Sequence, residues 1–104
     1  MKKANVFVNG LLAGQLLEVE RGKNYKFTYI EQYKGPSISL TMPIKQSVYE
    51  FDRFPPFFEG LLPEGMMLES LLRRRKIDQT DYLSQLIAVG GDVVGNVTVE
   101  ACND

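Results

Sequence analysis

Ala4-Asn5-Val6-Phe7-Val8-Asn9-Gly10-Leu11-Leu12-Ala13-Gly14 decides how the chain begins to fold. Ala4, Val6 and Val8 alternate with Asn5, Phe7 and Asn9, and a period of two defines a strand. Asn9-Gly10 is a strong hairpin signal, because both residues tolerate positive φ. The returning strand is predicted over Leu11 to Glu20, with Gly14 as a bulge or a point of close approach.

Outward from this hairpin the pattern continues. Arg21-Gly22-Lys23-Asn24 reads as a turn, and Tyr25, Phe27 and Tyr29 alternate with Lys26 and Thr28 as a third strand with an aromatic face. Tyr33-Lys34-Gly35-Pro36 breaks it. Ile38, Leu40 and Met42 alternate with Ser37, Ser39 and Thr41, predicting a short fourth strand that Pro43 ends. Val48-Tyr49-Glu50-Phe51 is a further short strand candidate. Pro55-Pro56 is expected to stop regular structure, and Phe57-Phe58-Glu59-Gly60-Leu61-Leu62-Pro63-Glu64-Gly65 sets large apolar residues between proline and glycine breaks, so they bury against something.

Two helices are predicted next. Met67, Leu68, Leu71 and Leu72 form one stripe over about Met66–Lys76, with Arg73, Arg74 and Lys76 in the last turn, where the helix dipole favours cations. Asp78 is the expected N-cap of the second, Tyr82, Leu83, Leu86 and Ile87 its stripe, and Gly90-Gly91 its end. Val97, Val99 and Ala101 complete a last strand. The order predicts a single α+β domain over residues 1–104: a small curved antiparallel sheet, open or barrel-like, with two helices.

Composition narrows the functions. The 104 residues fit one domain with one core. Lys plus Arg total 12 against 13 for Asp plus Glu, so the net charge of −1 exerts no general pull on nucleic acid. There is no His, which excludes Ser-His-Asp and Cys-His catalysis and imidazole metal sites. The one Cys, Cys102, cannot form an internal disulfide, which fits a reducing compartment. No signal peptide and no bilayer-length apolar run is expected.

Candidate chemistry is sparse. Gly90-Gly91-Asp92-Val93-Val94-Gly95 lacks the Lys-Ser/Thr of a phosphate loop and follows a helix where such a loop would open one. Glu59 and Glu64 have no polar substrate-binding groups beside them, and Glu64 suits a helix N-terminus on stability grounds alone. Arg73-Arg74-Arg75-Lys76 reads as a solvated helix end or a contact for an acidic surface. The Tyr25/Phe27/Tyr29 stripe reads better as core than as an RNA-stacking face. Met66 is the anomaly. At 100° per residue it points away from its helix's stripe. Either it is an exposed anchor for another protein's pocket, or the helix starts a residue or two away and turns it inward.

These residues carry a resemblance. The Asn9-Gly10 hairpin with Gly14, Tyr25–Tyr29, Ser37–Pro43, Phe57–Gly65 and Ile87–Gly95 resemble, in order and spacing, the N-terminal subdomain of HipA-type Ser/Thr kinases. Phe57-Phe58-Glu59-Gly60-Leu61-Leu62-Pro63-Glu64-Gly65 is the most specific part. The glycine segment departs slightly from the more typical Ile-Gly-x-Asp-x-x-Gly, while Val89-Gly90-Gly91-Asp92 keeps its spacing. The catalytic portion of such kinases is not in this sequence, so a chain of this extent is expected to resemble the HipS-like antitoxins of HipBST toxin–antitoxin systems.

The resemblance implies a bacterial, cytoplasmic, non-enzymatic antitoxin or regulatory subunit with no cofactor and no metal. Its implied partner is a HipT-like Ser/Thr kinase, with a HipB-like DNA-binding protein in a ternary complex. Phe57, Phe58, Leu62, Pro63, Glu64, Met66 and Met67 are the expected contact residues, with neither direct nucleic-acid binding nor membrane association. Two alternatives stand beside it: a subunit that completes or activates the kinase, and a nucleic-acid-binding module using Lys23, Lys26, Lys34 and Arg73–Lys76.

Overall fold

Asn9 and Gly10 adopt positive φ, 51° and 83°, and turn β1 (Lys2–Val8) into β2 (Leu11–Glu20). This conformation favours Asn and Gly, and its twist matches that of paired strands. Gly22, at φ 79°, makes the next turn into β3 (Lys23–Tyr29). The structure, a computed structural model, describes residues 2–91 and 96–102. The later elements are β4 (Val48–Phe51), α1 (Pro56–Glu59), α2 (Gly65–Arg75), α3 (Tyr82–Val89) and β5 (Val97–Ala101).

All strand pairs are antiparallel, in the spatial order β4-β3-β2-β1-β5. The strands at the two ends, β4 and β5, do not pair, so the sheet is open and the barrel-like form is not adopted. The register of β1 on β2 shifts between Val6, opposite Gly14, and Phe7, opposite Leu12. The residue left unpaired by this shift is Ala13, so Gly14 flanks the bulge; Gly14 is the point of close approach, because a Cβ there would overlap the Thr28 carbonyl.

One sheet face is buried. Ala4, Val6, Val8, Leu16, Tyr25, Phe27, Val97 and Val99 lie against Phe54, Phe58, Leu83 and Leu86 from the helical side. The aromatic stripe is therefore core. Phe27 packs with Tyr29 at 4.9 Å and Phe58 at 5.9 Å, and Tyr25 meets Phe54 edge-on at 5.2 Å.

Four local expectations are corrected. Ser37–Met42 is not a strand: only a Ser39–Met42 bridge forms, and Leu40 is fully exposed at the tip of the turn. The cause is long-range, since the Tyr29 hydroxyl accepts from the Ile38 amide at 2.9 Å and donates to the Met42 carbonyl at 2.5 Å. Val48–Phe51 supplies the fourth strand.

Pro55-Pro56 does not stop structure but starts it. Proline suits the first helical turn, where its missing N–H would have no partner anyway, so a third helix, α1, joins the two expected. The N-cap of α3 is Asp81, whose Oδ1 accepts from the Ser84 amide at 3.2 Å, while Asp78 accepts from the Thr80 amide and hydroxyl one turn earlier. Met67 is not on the inward stripe. It is 74% exposed, because α2 buries only Leu71 fully, with Leu68 and Leu72 half-buried. In the glycine segment, Gly90 caps α3 and its carbonyl accepts from the Val99 amide at 3.1 Å. Asp92 to Gly95 lie outside the described residues.

Candidate functional site: the α1–α2 segment

The segment from Pro55 to Met67 is built on a buried foot. Pro55 and Phe58 are almost wholly inaccessible, and Phe58 sits beneath Phe27 and Phe57. Backbone bonds carry the turn forward: Glu59 to the Pro55 carbonyl, Gly60 to Pro56, Leu61 to Phe58 and Leu62 to Glu59, all at 3.0–3.1 Å. Leu61 and Leu62 rest half-buried on the core. Pro63 then ends the run, and the chain turns outward.

Gly65 takes φ +58°, a left-handed conformation that costs other residues about 1–2 kcal/mol. It swings the chain into α2, whose N-cap Glu64 makes no side-chain capping bond. The helix projects Met66, 84% exposed, beside Met67. Behind them α2 is attached thinly. Leu71 is its one fully buried side chain, and Arg73, Arg74 and Arg75 lie exposed in its last turn.

The expected contact residues thus divide. Glu64, Met66 and Met67 are at the surface, Leu62, Pro63 and Phe57 are half-buried, and Phe58 is in the domain's own core. Phe58 supports the segment from below and presents nothing outward. Sequence reasoning names Met67 as a contact residue but also places it on the inward stripe, which is narrower than the periodicity implied. It misses the exposure of Leu40. Leu40 was assigned to a strand, and no local signal announces the distant Tyr29 hydroxyl that bends its turn.

Met66 and Met67 thus set two flexible, polarizable side chains at the surface of a helix with one fully buried residue. Among the described residues, no group of three or more His, Cys, Asp or Glu side chains is placed to hold a metal ion. No described helix is long and apolar enough to cross a membrane.

Comparison with known proteins fits this geometry. The family described as HipA N-terminal domain matches residues 4–100. An uncharacterized protein of Haemophilus influenzae is 32% identical over 100 residues, covering 96% of this chain and 92% of that one. A putative kinase of Sinorhizobium fredii, Y4dM, is 35% identical over 77 residues, which span 68% of this chain but 19% of the kinase. Among solved structures, the N-terminal domain of HipA toxin superposes with a TM-score of 0.77 at 28% identity, covering 100% of this chain and 95% of that one.

Proposed function

The chain belongs to the HipA N-terminal domain family, and from that premise we propose that it is a non-catalytic antitoxin subunit that binds and neutralises a separate HipT-like Ser/Thr kinase in the bacterial cytoplasm. A HipB-like DNA-binding protein would join the pair in a ternary complex. The observation that carries this reading is the paired exposure of Met66 (84%) and Met67 (74%) on a helix held down by Leu71. A domain with no partner gains nothing from two adjacent methionines in water. A kinase cleft or lobe surface that covers them gains about 1.5–3 kcal/mol per fully buried side chain.

Proline, glycine and the buried Phe58 pre-set the backbone leading into α2, which limits the ordering cost of binding to the methionine side chains and the helix that carries them. Inhibition is then steric: Met66 enters the kinase's apolar cleft, with Met67, Leu62, Pro63 and Glu64 around it. Met66→Asp tests this, because it places an unpaired carboxylate in the buried contact. The expected result is a folded protein whose affinity for the kinase falls at least tenfold and which no longer rescues growth on co-expression. Wild-type binding and rescue by that variant would remove the proposal.

A second reading has an observation of its own. The same domain forms part of the longer putative kinase Y4dM, which favours a role in completing or activating a kinase fold. Co-expression separates the two, since an antitoxin restores growth and a completing subunit deepens toxicity.

A further inference from the structure

The sheet has two ends, and large exposed apolar side chains gather at one of them. That end carries the Asn9–Gly10 turn and Tyr29, the last residue of β3, which stands opposite Gly14. The other end carries the Gly22 turn and Lys2, the first residue of β1. On the helical side the chain climbs towards the Asn9–Gly10 end, because Phe54 meets Tyr25 and Phe58 then meets Phe27. It descends through α2, since the connection that follows leads to Asp81, whose carboxylate is bonded to Lys2. Met66 and Met67, in the first turn of α2, therefore belong to the Asn9–Gly10 end. Leu11 is exposed beside that turn, and the turn that carries Leu40 is tied to Tyr29 at the same end.

The Leu40 turn is held from several sides. The Met42 amide donates to the Ser39 carbonyl at 3.1 Å and closes it. Ser39 Oγ accepts from the Thr41 amide at 3.1 Å and bonds the Thr41 hydroxyl at 2.9 Å. Ser37 Oγ accepts from the Ile44 amide at 2.8 Å. Ile38 and Met42, on either side, are buried, and the Tyr29 hydroxyl bonds the backbone of both. Between these anchors Leu40 is fully exposed. A leucine in water at the tip of a fixed turn is already in its bound geometry, so covering it orders little more than one side chain.

We propose that the Ser39–Met42 turn is a second contact for the same kinase, with Leu40 seated in an apolar pocket of the kinase surface. This rests on the antitoxin reading and extends it. A stable interface takes roughly 800 Å² and about 20–30 residues on each side. The α1–α2 segment is too short to supply that alone, the more so because Phe58 is turned into the core. The contact must spread beyond the methionines, and Leu40 is the most exposed large apolar residue at their end of the sheet. The two contacts differ in kind. Methionine adapts to the shape it meets, whereas the braced leucine requires a pocket of its own size, with the Ser39 and Thr41 hydroxyls at the polar rim.

The test is surface plasmon resonance of the whole chain on an immobilised HipT-like kinase. Leu40→Ala should weaken binding at least tenfold. Its thermal melt should match the wild type, because the side chain is fully exposed. Tyr29→Phe keeps the ring but removes the hydroxyl that holds the turn, and should weaken binding at least threefold. In the Leu40→Ala background the same change should weaken it no further, since the turn then has no leucine to present. Wild-type affinity in Leu40→Ala overturns the second contact, and if Met66→Asp loses binding in the same assay the antitoxin reading stands without it. No binding by the wild-type chain, or unaltered binding in both variants, removes both. A Leu40→Ala protein that keeps kinase affinity but changes its oligomeric state in sedimentation overturns the kinase assignment in favour of a second copy of this chain.

Discussion

The Tyr25 hydroxyl donates to the Glu18 carboxylate at 3.2 Å, between residues that are direct register partners on β3 and β2. Burial, followed by the Glu18 charge and this hydrogen bond, pushes the phenol from its ordinary value of 10.0 up to about 12. A folded-state value above the unfolded one means that the unfolded chain loses its proton first as pH rises. The associated stability is complete below about pH 10 and is lost as pH climbs towards about 12. Denaturant midpoints measured across this window should fall, and Tyr25→Phe should flatten the fall.

Acid should act through Asp81. Burial raises its carboxyl, but the hydrogen bond from Lys2, those from the Ser84 hydroxyl and amide, and the Lys2 charge outweigh it, leaving the group below its ordinary 3.8. A lowered value contributes stability above about pH 3.8 that is lost as pH falls through the folded-state value. Lys2→Met should remove much of this acid dependence. At neutral pH it should cost about 0.5–1 kcal/mol, because the pair is partly exposed. Urea melts of both proteins at neutral and acid pH check it.

Phe58 and Met66 are eight positions apart and should behave oppositely. Phe58→Ala removes a fully buried ring and should cost about 3–5 kcal/mol. Met66→Ala, at an exposed position, should change stability by no more than about 0.5 kcal/mol. Thermal melts of the two variants, read beside kinase binding, separate loss of fold from loss of contact.

Gln85 is 1% exposed, and its Nε2 donates to the Asp78 carbonyl at 3.2 Å and the Gln79 carbonyl at 3.1 Å. It ties the α2–α3 connection to α3. Gln85→Leu leaves those carbonyls without this donor and should cost about 1–3 kcal/mol. Hydrogen exchange should accelerate first in residues 77–81.

What could be read from the residues depended on range. The hairpins of β1, β2 and β3 follow from alternation and from Asn9-Gly10, signals complete within a few positions. The stripe of α3 is local too, as Leu83 and Leu86 confirm by their burial. The turn around Leu40 was not legible, because Tyr29 creates it from another strand. The α1 turn was hidden by the breaking reputation of proline, although Pro56 stands where proline is tolerated. Of the candidate site, helical geometry left Met66 either exposed or turned inward by a shifted helix start, and the structure has it exposed. The burial of Phe58 was not legible, since a Phe-Phe pair does not say which ring turns inward.

The pairing of β1 with β5, Ala4 opposite Ala101 through Val8 opposite Val97, has a consequence for how the domain is made. During synthesis the β1–β2–β3 meander can assemble from neighbouring sequence as it emerges. The free edge of β1 must wait for Val97–Ala101, about ninety positions further along, to clear the ribosome, and closing so long a loop is a slow, non-local step. Until then β1 presents an unpaired strand edge, the feature by which nascent chains recruit one another. Slowed translation anywhere between β3 and β5 should therefore raise misassembly, because it lengthens the time for which that edge stays open.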